Sequence, residues 1–367
     1  MLVPLANWQN PSKRRIEAIR AAQERDEAAL LELLEAYLIL KGRKRASLSP
    51  KTLETYRLGV RDFLAWAWPP DAPAPQVQIL KATADDLDRY IADLQTKGSH
   101  LVGHTLEYRR QPRLPAKPVW PTATPLGANG PSLKPSSIAT YLAGVRALYR
   151  ALEWADAATL PSGVMAPRDP TPAYERRPAL PVSLYKKLLA HLETGEPHHR
   201  RDRIAARLMA EAGLRISEVV HLQVQDIHLA ERLLEVKRGK GSKSRSVPLS
   251  KSLVAELQDW LRIRLAHAAA GEPRVLVNLG GRKADGRGMT VRGLREILNG
   301  HYRALGFPAR YSGAHLLRHT AGTRFYQVSR DLHATARLLG HSNINTSAIY
   351  AKMDLEGLFE VVDKLEV

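Results

Sequence analysis

Five positively chargeable side chains and one phenol stand between residues 215 and 350. They are Arg215 in GLRISE, Lys240 in GKGSKSRSVPL, His315 and Arg318 in HLLRHT, His341 in LGHS, and Tyr350. Such a set can hold a phosphodiester by its non-bridging oxygens, attack phosphorus with the phenol and protonate the departing sugar oxygen. None of these steps requires a metal. The chemistry implied is cleavage of a DNA strand through a covalent protein intermediate.

His315 and Arg318 are three apart on an expected helix, so they lie about one turn apart on one face and can grip a single phosphate. Arginine suits this task because its planar fork donates paired hydrogen bonds and stays charged at physiological pH. His315 and His319 are also spaced like two zinc ligands of an HExxH helix. That reading fails because Leu316 occupies the place of the glutamate base and Arg318 sets a fixed cation beside the metal. Arg215 follows Gly213-Leu214 and has Glu218 three residues on, a carboxylate able to brace the guanidinium. Lys240 sits at a Gly-Lys-Gly tip, where it can reach a leaving oxygen, and Lys243 and Arg245 just beyond it are candidate DNA contacts. Gly-Lys here is followed by glycine and flanked by strands, which argues against an ATP-binding phosphate loop. An unperturbed phenol has a pKa of about 10, so Tyr350 needs a base and a positive pocket to attack at neutral pH. His315 can supply the base.

The elements that must position these groups follow from periodicity and caps. Helical patterns run over 182–192, 202–212, 252–266, 291–305, 315–327, 331–339 and 344–353, with a last amphipathic segment at 355–365. Two strands, 233–237 and 246–249, flank the lysine tip as a hairpin. Upstream, 30–40 is amphipathic, Ser49 and Pro50 open a second helix, Thr83 caps a third, and Ser136 or Ser137 starts a fourth. Lys51 with Thr52, and Lys134 with Ser136 and Ser137, cluster at two of these helix starts. There they serve either as plain caps or as phosphate contacts. Seven prolines between 112 and 135 and six between 161 and 181 exclude regular helix from both stretches.

The fold expected is mainly α with a small β component. A basic N-terminal extension (1–27) precedes an all-helical DNA-binding module (28–160) with a proline-rich insert near 97–135. A linker (161–181) then leads to a catalytic domain with a β-hairpin (182–367). The 367 residues suffice for two such cores. With 55 Lys and Arg against 37 Asp and Glu, the net charge is +18, which favours a polyanionic partner whose binding weakens with salt. The chain has no cysteine, so disulfides and a thiol nucleophile are excluded. No apolar stretch approaches membrane-spanning length, and no apolar run follows Lys13, Arg14 and Arg15. A cytoplasmic, nucleoid-associated location is therefore expected.

Together, GLRISE, GKGSKSRSVPL, HLLRHT and LGHSNINTSAIY make the chain resemble the tyrosine recombinases, the phage integrase and Xer-type site-specific recombinases, over about 177–363 and less closely over about 28–155. The resemblance implies that Arg215, Arg318, His315 and His341 clamp the scissile phosphate. It further implies that Lys240 protonates the 5′-oxygen and that Tyr350 becomes linked to the 3′-phosphate, with no metal, ATP or other cofactor. The partners implied are double-stranded DNA and three further subunits, as a homotetramer or a heterotetramer with a related recombinase, on two DNA sites. Alternatives are a type IB topoisomerase-like relaxing enzyme and a DNA-binding protein that does not cut.

Overall fold

The structure is a computed structural model that describes residues 6–42, 48–69, 72–101, 132–171, 178–237, 244–279, 284–341, 346–347 and 350. The chain forms two compact units, 1–170 and 171–367. Among the described residues, no helix is long and apolar enough to cross a membrane.

Among its described residues the first unit holds helices and no strand: α1 (Ala6–Gln9), α2 (Pro11–Gln23), α3 (Glu27–Leu40), α4 (Pro50–Ala67), α5 (Ala84–Thr96) and α6 (Pro135–Trp154). Caps place the starts. Asp26 accepts from Ala29 N, Ser49 from Thr52 N, and Thr83 exchanges a capping box with Asp86. Leu30, Leu33, Leu34, Phe63, Leu87, Tyr90, Leu148 and Tyr149 fill a common core. Asp62 lies within it. Its cost is met by bonds from Tyr90 Oη and His100 N, each 2.9 Å, and from Ser99 Oγ.

Within the expected basic N-terminal extension, α2 buries Ala18, Ala21 and Ala22 on one face against α3. Arg14 belongs to the packing too: it is buried, donates to Trp8 O (3.0 Å) and stacks 3.9 Å above the Trp154 ring. The fourth expected helix starts at Pro135, not at Ser136 or Ser137. Lys134 stands at its N-cap with no side-chain cap bond, so both serines fall in the first turn. Most of the proline-rich insert, 102–131, lies outside the described residues.

The second unit is built around α8 (Pro197–Ala210), which begins five residues before the expected start because Pro197 takes the first helical position. Around it stand α7 (Val182–His191), α9 (Ile216–His221), α10 (Lys251–Leu265), α11 (Val291–Ala304), α12 (His315–Ser329) and α13 (Leu332–Leu339). Strands β1 (Ile227–His228), β2 (Leu233–Val236) and β3 (Arg245–Pro248) form one antiparallel sheet in the order β1-β2-β3. The expected hairpin is thus present and gains a third strand. Its register pairs Leu234 with Val247 and Val236 with Arg245, turning Leu234, Val236 and Val247 into the core. The chain entering this unit is tied to α12 by Leu180 N donating to the buried Thr320 Oγ1 at 2.9 Å.

Candidate active site

The α9 N-terminus is the anchor of the site. Arg215 occupies its N-cap position, and Glu218, three residues on, accepts from both the Arg215 backbone N–H and its guanidinium, each at 2.8 Å. The other side of this carboxylate is gripped by Arg245 at the head of β3, through two parallel bonds of 3.0 and 2.9 Å. Burial alone would raise the Glu218 pKa. The bonds from Arg245 and the Arg215 backbone, with both positive charges, outweigh that and hold it at about 2. Glu218 is therefore a fixed anion between two arginines.

Arg318 lies on α12 and is only 5% exposed. One arm donates to Gly213 O and another to Leu339 O (2.6 Å), so two distant backbone segments converge on one guanidinium. Burial, then the nearby Arg215 charge, lowers its pKa to about 10, which still leaves it cationic at neutral pH. The fifth and sixth groups arrive on the segment after α13. Arg215 reaches Gly340 O (3.5 Å), next to His341, and His341 Nδ1 is 2.8 Å from Ser347 Oγ. The Tyr350 backbone N–H donates to Ser347 O (3.0 Å), and its ring stacks on His341, with centroids 6.5 Å apart and planes 10° apart.

Gly322 completes this packing. A Cβ built there would stand 2.3 Å from Tyr350 Cζ, so the bare backbone of α12 is the floor of the tyrosine pocket. Gly322 is four residues beyond Arg318 and thus on the same face of α12, which sets the phenol ring one turn from the buried guanidinium. His315, three residues before Arg318, opens the helix and is exposed. Arg215, Arg318, His341 and Tyr350 are therefore gathered about α9, α12 and the segment after α13, with Glu218 among the arginines. Tyr350 itself is 2% exposed.

Several expected contacts stand elsewhere. Lys240 and Lys243 fall in 238–243, outside the described residues. Arg245 was expected as a DNA contact, but its guanidinium is committed to Glu218 and to Leu338 O (3.2 Å) with its side chain 11% exposed. In that place it braces the Arg215–Glu218 pair and spares a buried carboxylate the cost of standing unpaired. Lys51 is exposed at the start of α4, where Thr52 shares a hydroxyl–hydroxyl bond with Ser49 (2.8 Å). Lys134 and Ser136 are exposed and Ser137 half-buried at the start of α6. Gly322 was missed, although a glycine inside a strong helical pattern is itself a sign of close packing.

The profile of the phage integrase family matches residues 179–356. The tyrosine recombinase XerC of Vibrio vulnificus (strain YJ016) is 32% identical over 284 residues, spanning 75% of this chain and 83% of the relative. Among solved structures, the XerH site-specific recombinase bound to a palindromic difH substrate in a post-cleavage complex aligns over 97% of both chains. Its TM-score is 0.63 at 16% identity. The lambda integrase tetramer bound to a Holliday junction aligns over 88% of this chain and 76% of its own, with a TM-score of 0.58 at 15% identity. At those identities the structural matches speak to the fold, which is mainly helical with one small antiparallel sheet.

Proposed function

Since the chain belongs to the phage integrase family, the tyrosine recombinases, and is a DNA strand-cleaving and rejoining enzyme, we propose that Tyr350 is its nucleophile and Arg215 and Arg318 its phosphate clamp. The two guanidiniums neutralise the non-bridging oxygens as charge builds on the pentacoordinate phosphorus. His315 takes the phenolic proton. Lys240 protonates the 5′-oxygen as the phosphorus–oxygen bond breaks, leaving a 3′-phosphotyrosyl ester and a free 5′-hydroxyl. A 5′-hydroxyl from a second duplex then attacks that ester and releases the tyrosine. His341 holds the Tyr350 ring by stacking, and Glu218 with Arg245 fixes the aim of Arg215.

The observation that carries this reading is the Gly322 pocket, which seats the Tyr350 ring one helical turn from Arg318. Burial of Tyr350 means that its hydroxyl is sheltered until the duplex is engaged. Phosphate contacts from Lys51, Thr52, Lys134, Ser136, Ser137 and Lys243 supply affinity without sequence information. Exchange between two duplexes cuts four strands, so the working assembly is a homotetramer, or a heterotetramer with a related recombinase, on two sites. The lambda integrase tetramer on a Holliday junction is in line with that number. The same reading makes the protein cytoplasmic and nucleoid-associated.

The test is a nicked suicide duplex incubated with the wild type and with Tyr350→Phe, scored for a protein–DNA band that resists denaturant. The wild type accumulates the band and Tyr350→Phe gives none. A band of equal intensity from Tyr350→Phe would reject Tyr350 as nucleophile.

A further inference from the structure

Three histidines that the strand chemistry does not use meet within the second unit. His191 ends α7, His199 lies in the first turn of α8, and His301 sits near the end of α11. All three are half-buried, and one ring nitrogen of each lies within 4.8 Å of the others. We propose that His191, His199 and His301 bind one divalent transition-metal ion of the zinc class, at a site sharing no residue with the phosphate clamp.

The spacing of the His191–His301 pair is right for one ion. His191 Nε2 stands 3.3 Å from His301 Nδ1. Two nitrogens held tetrahedrally at the usual zinc–imidazole length of about 2.0–2.1 Å are separated by roughly 3.4 Å. The surrounding bonds also prepare the donors. His301 Nε2 is 2.9 Å from Asp202 Oδ2, which places the proton on Nε2 and leaves the Nδ1 lone pair toward His191. Asp202 is buried and held in turn by Arg201, through Nε at 2.8 Å and a terminal nitrogen at 2.7 Å. This carboxylate–imidazole arrangement is the support that ligating histidines commonly carry. His199 Nδ1 is 2.9 Å from Thr194 Oγ1, so Nε2 is its nitrogen left for a metal.

Three protein ligands leave a coordination position for water, and a cavity bordered by His198, Asn278 and Gly300 lies beside the rings. A hydrogen bond between His191 and His301 alone would explain their 3.3 Å separation, but it gives no part to His199. An ion satisfies all three rings at once. It would clasp α7, α8 and α11 together, and α11 in turn holds the entry to α12, since Asn299 Oδ1 accepts from Gly313 N at 2.9 Å. The site is therefore a structural clasp for the scaffold behind His315.

The experiment uses the full-length, untagged chain stripped with chelator. Cobalt(II) is titrated while the visible d–d absorption of a low-symmetry site is followed, and zinc(II) is added by calorimetry and in thermal unfolding. The expected result is one ion per chain, a d–d band at saturation and a rise in Tm with zinc. His191→Gln and His199→Gln, each checked for unchanged far-ultraviolet circular dichroism, should each weaken binding at least tenfold and lose the band. Absence of stoichiometric cobalt binding by the wild type would overturn the proposal. So would both variants binding like the wild type, which would put the ion on other histidines. Either failure leaves the strand-cleavage reading intact, because the covalent-adduct assay does not depend on these residues.

Discussion

At the scale of single residues, the account turns on how a tyrosine with an ordinary phenol is brought to phosphorus. Gly322 matters as much here as any charged group. Glycine inside a helix costs about 1 kcal/mol relative to alanine, yet one is kept in the middle of α12, where any Cβ would strike the Tyr350 ring. Gly322→Ala should therefore leave the helix at least as stable and DNA affinity nearly unchanged, while cleavage of the suicide duplex falls by at least about tenfold, since each 1.4 kcal/mol of misplacement is a factor of ten in rate. Cleavage at the wild-type rate would show that the seat of the ring is immaterial. The candidate reacting groups could be named from the sequence because each sits in a short motif whose residue types leave few other tasks, and the structure gathers Arg215, Arg318, His341 and Tyr350 about α9, α12 and the segment after α13. The pairing of Arg245 with Glu218 was not legible in that way. In sequence that arginine follows a basic tip and looks like one more surface cation. The structure turns it inward, because Glu218 needs a second partner and the start of β3 is the segment that reaches it.

At the scale of elements, the site is a convergence of helix ends, and Glu218 fastens the α9 N-terminus to the start of β3 through Arg215 and Arg245. Its carboxyl titrates at about 2 in the fold, against 4.5 for the free side chain. The stabilisation it contributes is complete above the unfolded value and is lost as pH falls through the folded one. Glu218→Gln should cost about 3 kcal/mol at pH 7, where it leaves buried guanidinium charge unpaired. The gap to the wild type should close as the pH is lowered from about 4.5 toward 2. Urea unfolding at a series of pH values checks this, and a gap independent of pH would contradict it. In the first unit, α4 and α6 approach backbone to backbone at Gly59 and Gly144. A Cβ at Gly144 would lie 2.6 Å from Tyr56 O, and one at Gly59 would lie 2.4 Å from Tyr141 O. Gly144→Val should destabilise this unit by about 1–3 kcal/mol or more, the cost of forcing packed elements apart. Tryptophan fluorescence during urea unfolding reports it through Trp66 and Trp154, and an unchanged midpoint would mean that the crossing is loose. Helix starts were legible where a capping residue was recognised, as at Ser49 and Thr83, and drifted where proline alone opened the helix, as at Pro135 and Pro197.

At the scale of the whole molecule, composition and the order of motifs indicated a basic, mainly helical protein in which the chemistry is concentrated in the second half. The packing of α2 was not legible in the sequence because its core face is made of alanines, which carry little hydropathy and yet pack closely. The histidine trio was invisible for a different reason: its members come from three helices and acquire meaning only when α7, α8 and α11 are folded together. What unites the levels is a single claim, that one phenol and a set of cationic donors converge on the same phosphorus. The most direct measurement is tandem mass spectrometry of the trapped adduct after nuclease and trypsin digestion. The account predicts a residual nucleotide on the tryptic peptide 338–352, with the phosphate on Tyr350. A nucleotide on a different peptide, such as one carrying Tyr311 or Tyr326, would contradict it.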